Sequence, residues 1–130
     1  CRPECNRCSQ VCPTGAIQPV TVEERTAIQV GHAVWTRDLC IPVRDGKTCG
    51  LCARKCPAQA IQMVPLVQGV HFDGRRWLDA DNQPIPREQA LLIPVVNEEM
   101  CIGCGACENL CPSRPLSAIH VEGHEVHREI

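Results

Sequence analysis

The chain of 130 residues contains no tyrosine, and Trp35, Phe72 and Trp77 are its only aromatic side chains. So little large apolar surface excludes a core held by side-chain burial alone, and something else must hold the fold together. No apolar run is long enough to cross a bilayer, and no signal peptide is visible. A formal net charge of -2, with five histidines and thirteen basic residues that form no long run, argues against a nucleic-acid surface. A starting methionine is missing too. The chain opens on Cys1 and reads as a segment of a longer protein.

What is abundant is cysteine, at 12 residues. The cysteines fall into three sets, "CRPECNRCSQVCPTGAI" (1 to 17), "CIPVRDGKTCGLCARKCPAQAI" (40 to 61) and "CIGCGACENLCPSRPLSAI" (101 to 119), each ending in Cys-Pro and then an Ala-Ile pair. Such self-similarity means one structural unit used three times. The third set carries three extra residues before Ala118-Ile119, which predicts a local loop.

Between the sets the sequence predicts short strands and turns. "TAIQVGHAVW" (26 to 35) leads to Cys40 and "LLIPVV" (91 to 96) leads to Cys101. Asp73-Gly74 has the chemistry of a two-residue hairpin turn. Segment 62 to 100 is an elaborated strand and loop region, where prolines at 84, 86 and 94 exclude a long helix. "DADNQP" (79 to 84) lacks the glycine and distal glutamate of a calcium loop and reads as a turn.

Two-residue gaps place three thiolates of a set around a tight backbone wrap whose N–H groups can turn towards a negatively charged iron-sulfur cluster. Gly50, Gly103 and Gly105 ease that wrap. From Cys107, "CENLC" makes about one helical turn, carrying Cys111 roughly 6 Å along the axis and away from the thiolates of its own set. Pro112 then stops the helix. The Ala-Ile pair can lay apolar surface over a cluster and limit water access, one of the levers on its potential.

Three rival readings fit less well. Closely spaced Cys-Pro repeats are poor disulfide geometry. Zinc sites prefer Cys-x2-Cys pairs divided by a longer loop. Cys1-x3-Cys5-x2-Cys8 also matches the radical SAM signature, but Cys12-Pro13 completes a ferredoxin run and no barrel fits in 130 residues. His120, His124 and His127 in "HVEGHEVHREI" read as a short polar strand pair rather than a metal site.

The third set matches the bacterial ferredoxin run, and the first two match it with a widened first gap. The order of the sets resembles the ferredoxin-type proteins of the MauM/NapG family, and is similar also to the iron-sulfur subunits of molybdenum oxidoreductases. The family pattern has four sets, in which the middle two pair and the outer two pair; this sequence shows three and lacks the first. The resemblance implies an α+β fold of ferredoxin-like cluster-binding repeats with short strands, short helices and long loops. It implies that Cys1, Cys5 and Cys8 bind one [4Fe-4S] cluster with Cys56, and that Cys40, Cys49 and Cys52 bind a second with Cys12. Cys101, Cys104 and Cys107 would hold a third, completed from a set N-terminal to Cys1, whose cluster Cys111 would serve in return. Gap lengths favour the same pairing, since 27 residues separate Cys12 from Cys40 but 44 separate Cys56 from Cys101. The expected division is a two-cluster module at 1–65, a strand and hairpin connecting region at 66–100, and half of a second module at 101–130.

No catalytic constellation accompanies the cysteines, so the expected function is one-electron transfer, as a relay or as the iron-sulfur subunit of an anaerobic respiratory complex, rather than enzymatic turnover. The runner-up is a redox module fused to or feeding a catalytic domain such as a radical SAM enzyme; a purely structural cluster domain is a third class. Expected partners are a redox donor and acceptor, including a membrane quinol-oxidising subunit, with no nucleic acid. The expected location is the cytoplasmic or periplasmic face of the bacterial inner membrane.

Overall fold

The computed structural model describes residues 5–130, so Cys1 lies outside the described residues. The fold is α+β, with helices of four to six residues and small antiparallel sheets. Helix α1 (Arg7–Val11) carries Cys8 of the first set and ends where Cys12 turns to extended backbone ahead of Pro13. Helix α2 (Val22–Ala27) was not expected, although its capping box is written in the sequence. Thr21 Oγ1 accepts the Glu24 N–H at 3.2 Å and the Glu24 carboxylate accepts the Thr21 N–H at 2.7 Å. These hydrogen bonds hold the Glu24 carboxyl below the usual carboxylate range.

The chain then enters β1 (Ile28–Trp35), where Gln29, Gly31 and Ala33 alternate inward. The small residues are required. A Cβ on Gly103, whose φ is +72°, would sit 2.6 Å from the Gly31 nitrogen, so the wrap of the third set rests directly on β1. In the widened gap of the second set lies α3 (Ile41–Arg44), and α4 (Leu51–Arg54) carries Cys52. Strand β2 (Ile61–Pro65) leaves the second set.

Residues 66 and 91 are neighbours, the Leu66 N–H donating to the Leu91 carbonyl at 2.8 Å. Everything between them is an excursion that returns to its origin. It forms its own sheet of β3 (His71–Phe72), β4 (Trp77–Leu78) and β5 (Pro84–Ile85). The turn at Asp73-Gly74 spans four residues rather than two, because the Asp73 carboxylate accepts the N–H groups of Arg75 and Arg76, both at 2.8 Å, and so satisfies the wider loop. The 79 to 84 stretch is the expected turn, with Asp79 Oδ1 accepting the Asp81 and Gln83 N–H groups at 2.9 and 2.8 Å.

Strand β6 (Leu92–Val96) leads into the third set, α5 (Ala106–Leu110) carries Cys107, and β7 (Ile119–Glu129) leaves it. The histidine-bearing tail is one long strand rather than a strand pair. Its partner is β1, with Trp35 opposite Ile119 and Gly31 opposite Gly123; β2 pairs with β6, with Ile61 opposite Val96. Each sheet thus joins the strand leading into one set to the strand leaving the other. The buried centre is small, made of Ala33, Ala60, Ile61, Ile119 and the thiols Cys101 and Cys107.

Candidate metal centre

The topology brings two groups of four cysteines around two cavities. Cys40, Cys49 and Cys52 share one with Cys111. Cys101, Cys104 and Cys107 share the other with Cys56. The exchange is reciprocal, since Pro112 and Ile119 line the first cavity as Pro57 and Ile61 line the second. Helices α4 and α5 pack together. They bring Cys52 and Cys107 close enough for their charges to interact.

The cavities group the cysteines otherwise than the expected pairing: Cys111 lies with the second set and Cys56 with the third, while Cys12 lines neither cavity. The longer gap does not hold the second and third sets apart, because 66–91 is a closed excursion and β2 and β6 hold the two sets side by side. In the first set Cys5 and Cys8 are exposed and Cys12 is half-buried.

The Ala-Ile pairs do more than cover the site. The Ala60 N–H donates to the Cys56 sulfur and the Ala118 N–H to the Cys111 sulfur, each at 3.3 Å. In the first set, the Thr14 side chain and the backbone N–H groups of Ile17, Thr14 and Ala16 act on Cys12 and hold its thiol down to about 7. The repeated Ala-Ile was therefore the visible trace of a repeated N–H donor to the fourth cysteine.

Other supports left no motif. Buried Gln29 donates to the Glu98 and Cys101 carbonyls, both at 2.6 Å, fixing the start of the third wrap. Buried Ser113 donates to the Leu39 carbonyl at 2.7 Å, and Arg44 donates to Ser113 Oγ at 3.2 Å and to the Arg114 carbonyl at 3.0 Å. These bonds tie the approach to Cys40 to the segment after Cys111. The tail histidines are engaged along β7: His124 Nε2 lies 2.9 Å from His32 Nδ1, and His120 Nε2 lies 3.3 Å from the Glu122 carboxylate.

The donor set fits an iron-sulfur cluster better than a single ion. One tetrahedral zinc would draw its thiolates together on bonds of about 2.3 Å. Among the described residues no three Cys, His, Asp or Glu side chains converge in that way; the cysteines ring a cavity instead. Burial pushes the Cys107 thiol up to about 12 and the Cys52 thiol up to about 11. Burial also raises Cys40, against a lowering influence of the Trp35 side chain. Such thiols become thiolates when cations occupy the cavity. Trp35 Nε1 is buried on the wall of the Cys40 cavity, near enough to act on the Cys40 thiol but outside hydrogen-bond geometry with any partner among the described residues. An N–H in that position suits a cluster sulfur.

The family described as "4Fe-4S dicluster domain" matches residues 47–116, which takes in Cys49, Cys52 and Cys56 of the second set and all four cysteines of the third. The chain belongs to the 4Fe-4S dicluster domain family. It is similar to the methylamine utilization ferredoxin-type protein MauM of Methylobacillus flagellatus, at 33% identity over 106 residues, covering 80% of this chain and 37% of that protein. It is also similar to the ferredoxin-type protein NapG of Escherichia coli, at 28% identity over 105 residues, covering 80% of this chain and 39% of NapG. A third relative is the pyruvate-flavodoxin oxidoreductase of Enterobacter agglomerans, at 35% identity over 81 residues, covering 52% of this chain and 7% of that protein. The chain thus spans about two fifths of the length of the ferredoxin-type relatives. The expected MauM/NapG likeness and the iron-sulfur family are both shown. Among the described residues no helix is long and apolar enough to cross a membrane.

Proposed function

We propose that the chain is an electron-transfer protein that holds one [4Fe-4S] cluster between Cys40, Cys49, Cys52 and Cys111, and a second between Cys101, Cys104, Cys107 and Cys56. When bound, such clusters supply one-electron redox chemistry. The chain's own residues hold the thiolates, exclude water with the Pro and Ala-Ile segments, and donate the Ala60 and Ala118 N–H groups to sulfur. The observation that carries the reading is the packing of α4, which bears Cys52 of one site, against α5, which bears Cys107 of the other, an arrangement that suits electron transfer between the two sites. No catalytic residue is assigned.

We assign the first set to a third, shared cluster. Cys1, Cys5 and Cys8 would take a fourth thiol from a further cysteine set of the full-length protein, and Cys12 would serve that set's cluster. The relatives are long enough to contain one. The two-cluster module is accordingly placed in the second and third sets, with the 66–91 excursion inserted in it. Service as a relay or iron-sulfur subunit in anaerobic respiration, with a redox donor and acceptor at the inner membrane, rests on the MauM and NapG likeness and is part of the same proposal. Anaerobic reconstitution followed by electron paramagnetic resonance and potentiometric titration tests it. Reversible reduction, with spin coupling between two neighbouring [4Fe-4S] centres, is the expected result. Stoichiometric zinc without iron, or clusters that cannot be reversibly reduced, would remove the reading.

A further inference from the structure

The 66–91 excursion carries a groove that the cluster sites do not use. Its walls are Phe72, Arg75, Arg76, Trp77, Ile85 and Arg87, three arginines among six side chains with no carboxylate. The floor is apolar: the Phe72 and Trp77 rings meet at 5.3 Å, tilted by 48°, and Phe72 is 52% exposed. Among the described residues neither Arg75 nor Arg87 has an ion-pair partner, while Arg76 reaches Asp73 only at 3.9 Å. Three cations held beside an exposed aromatic pair are a recognition surface for carboxylates set among apolar groups.

The groove adjoins a metal site. Trp77 and Arg87 also line a smaller hollow shared with Thr48 and Cys49, so the two side chains bridge the groove and a thiol of the Cys40 site. A molecule seated on the arginines therefore lies against the Cys49 side of that site.

We propose that this groove is the docking surface for an acidic redox protein that exchanges electrons with the cluster held by Cys40, Cys49, Cys52 and Cys111. Charge complementarity selects the partner: the groove attracts a carboxylate-rich face and steers its approach, and Phe72 and Trp77 give it an apolar seat. The inference rests on the electron-transfer reading above and names the site at which electrons enter or leave.

The test is stopped-flow reduction of the cluster-loaded protein by flavodoxin hydroquinone, an acidic protein donor that gives up one electron as a cluster goes from the 2+ to the 1+ state. Methyl viologen radical serves in parallel as a small cationic donor. Reduction of the wild type by flavodoxin is expected to slow as ionic strength rises. The R75E/R76E/R87E variant should be slower by about tenfold or more at low salt, with its salt dependence flattened or inverted, while reduction by the cationic viologen radical is not slowed. R87E should be slower than R37E, which reverses one charge outside the groove. Equal flavodoxin rates for the wild type and the triple variant, or a slowing that viologen shares, would overturn the docking surface and leave the relay reading standing. Clusters that neither donor reduces reversibly would overturn the relay reading and this use of the groove with it.

Discussion

Leu66 donates its backbone N–H to the carbonyl of Leu91 at 2.8 Å, so the chain leaves β2 and re-enters β6 at almost the same point. Replacing residues 67–90 by a two-residue turn should therefore preserve both cysteine cavities, with the β2–β6 pairing intact. Iron content and the electron paramagnetic resonance spectrum are expected to match the wild type, while the salt-dependent part of flavodoxin reduction disappears. Loss of either cluster signal would show that the excursion holds the sites together.

The cysteine pairing can be tested one thiol at a time. Cys111→Ser should disturb the centre built by the second set, and Cys56→Ser the centre built by the third. Cys12→Ser should leave both unaltered. Iron content and the reduced spectra of the three variants decide the matter; loss of the second-set centre in Cys12→Ser would restore the pairing with the first set.

Ala118 donates its N–H to Cys111 and lies buried at the edge of the cavity. A hydrogen bond to the ligand sulfur stabilises the reduced, more negative cluster. A118P removes the donor and should lower the potential of that centre by about 40 mV, the one-electron equivalent of about 1 kcal/mol. Potentiometric titration should show the shift in one centre and not in the other.

Trp35 offers a second donor on the same wall. Trp35→Phe keeps the apolar contact and deletes Nε1, so the same centre should become harder to reduce. Were the N–H without a role at the cluster, the variant would instead gain about 1 kcal/mol in stability from the loss of an unsatisfied buried donor, at unchanged potential. Titration and thermal unfolding together separate the outcomes.

Gly103 and Gly105 form a matched pair, with φ of +72° and +73°. Alanine at Gly105 meets nothing within 4 Å and should cost only the left-handed backbone, roughly 1–2 kcal/mol. Alanine at Gly103 adds a collision with the Gly31 backbone. It should lower the melting temperature further and loosen the third wrap, which metal-release kinetics would register.

The local chemistry was legible because it is encoded in neighbouring residues. Cys-x2-Cys spacing, the turn from Cys107 to Cys111 and the stop at Pro112 act within about one turn of backbone, so reading along the chain recovers them; the Thr21-x-x-Glu24 box is equally local but went unread, and α2 with it. The strands before Cys40 and Cys101 were visible for the same reason. Which set completes which was decided in three dimensions. Separation along the chain measures distance only when the intervening residues travel somewhere, and 66–91 folds upon itself as β3, β4 and β5. Two antiparallel sheets then cross-connect the strands around the second and third sets, and carry Cys111 to Cys40 and Cys56 to Cys101. Gln29, Ser113 and Arg44 belong to that same layer. Their partners lie 69 to 74 positions away, a distance over which no spacing rule operates and only the packed fold brings donor to acceptor.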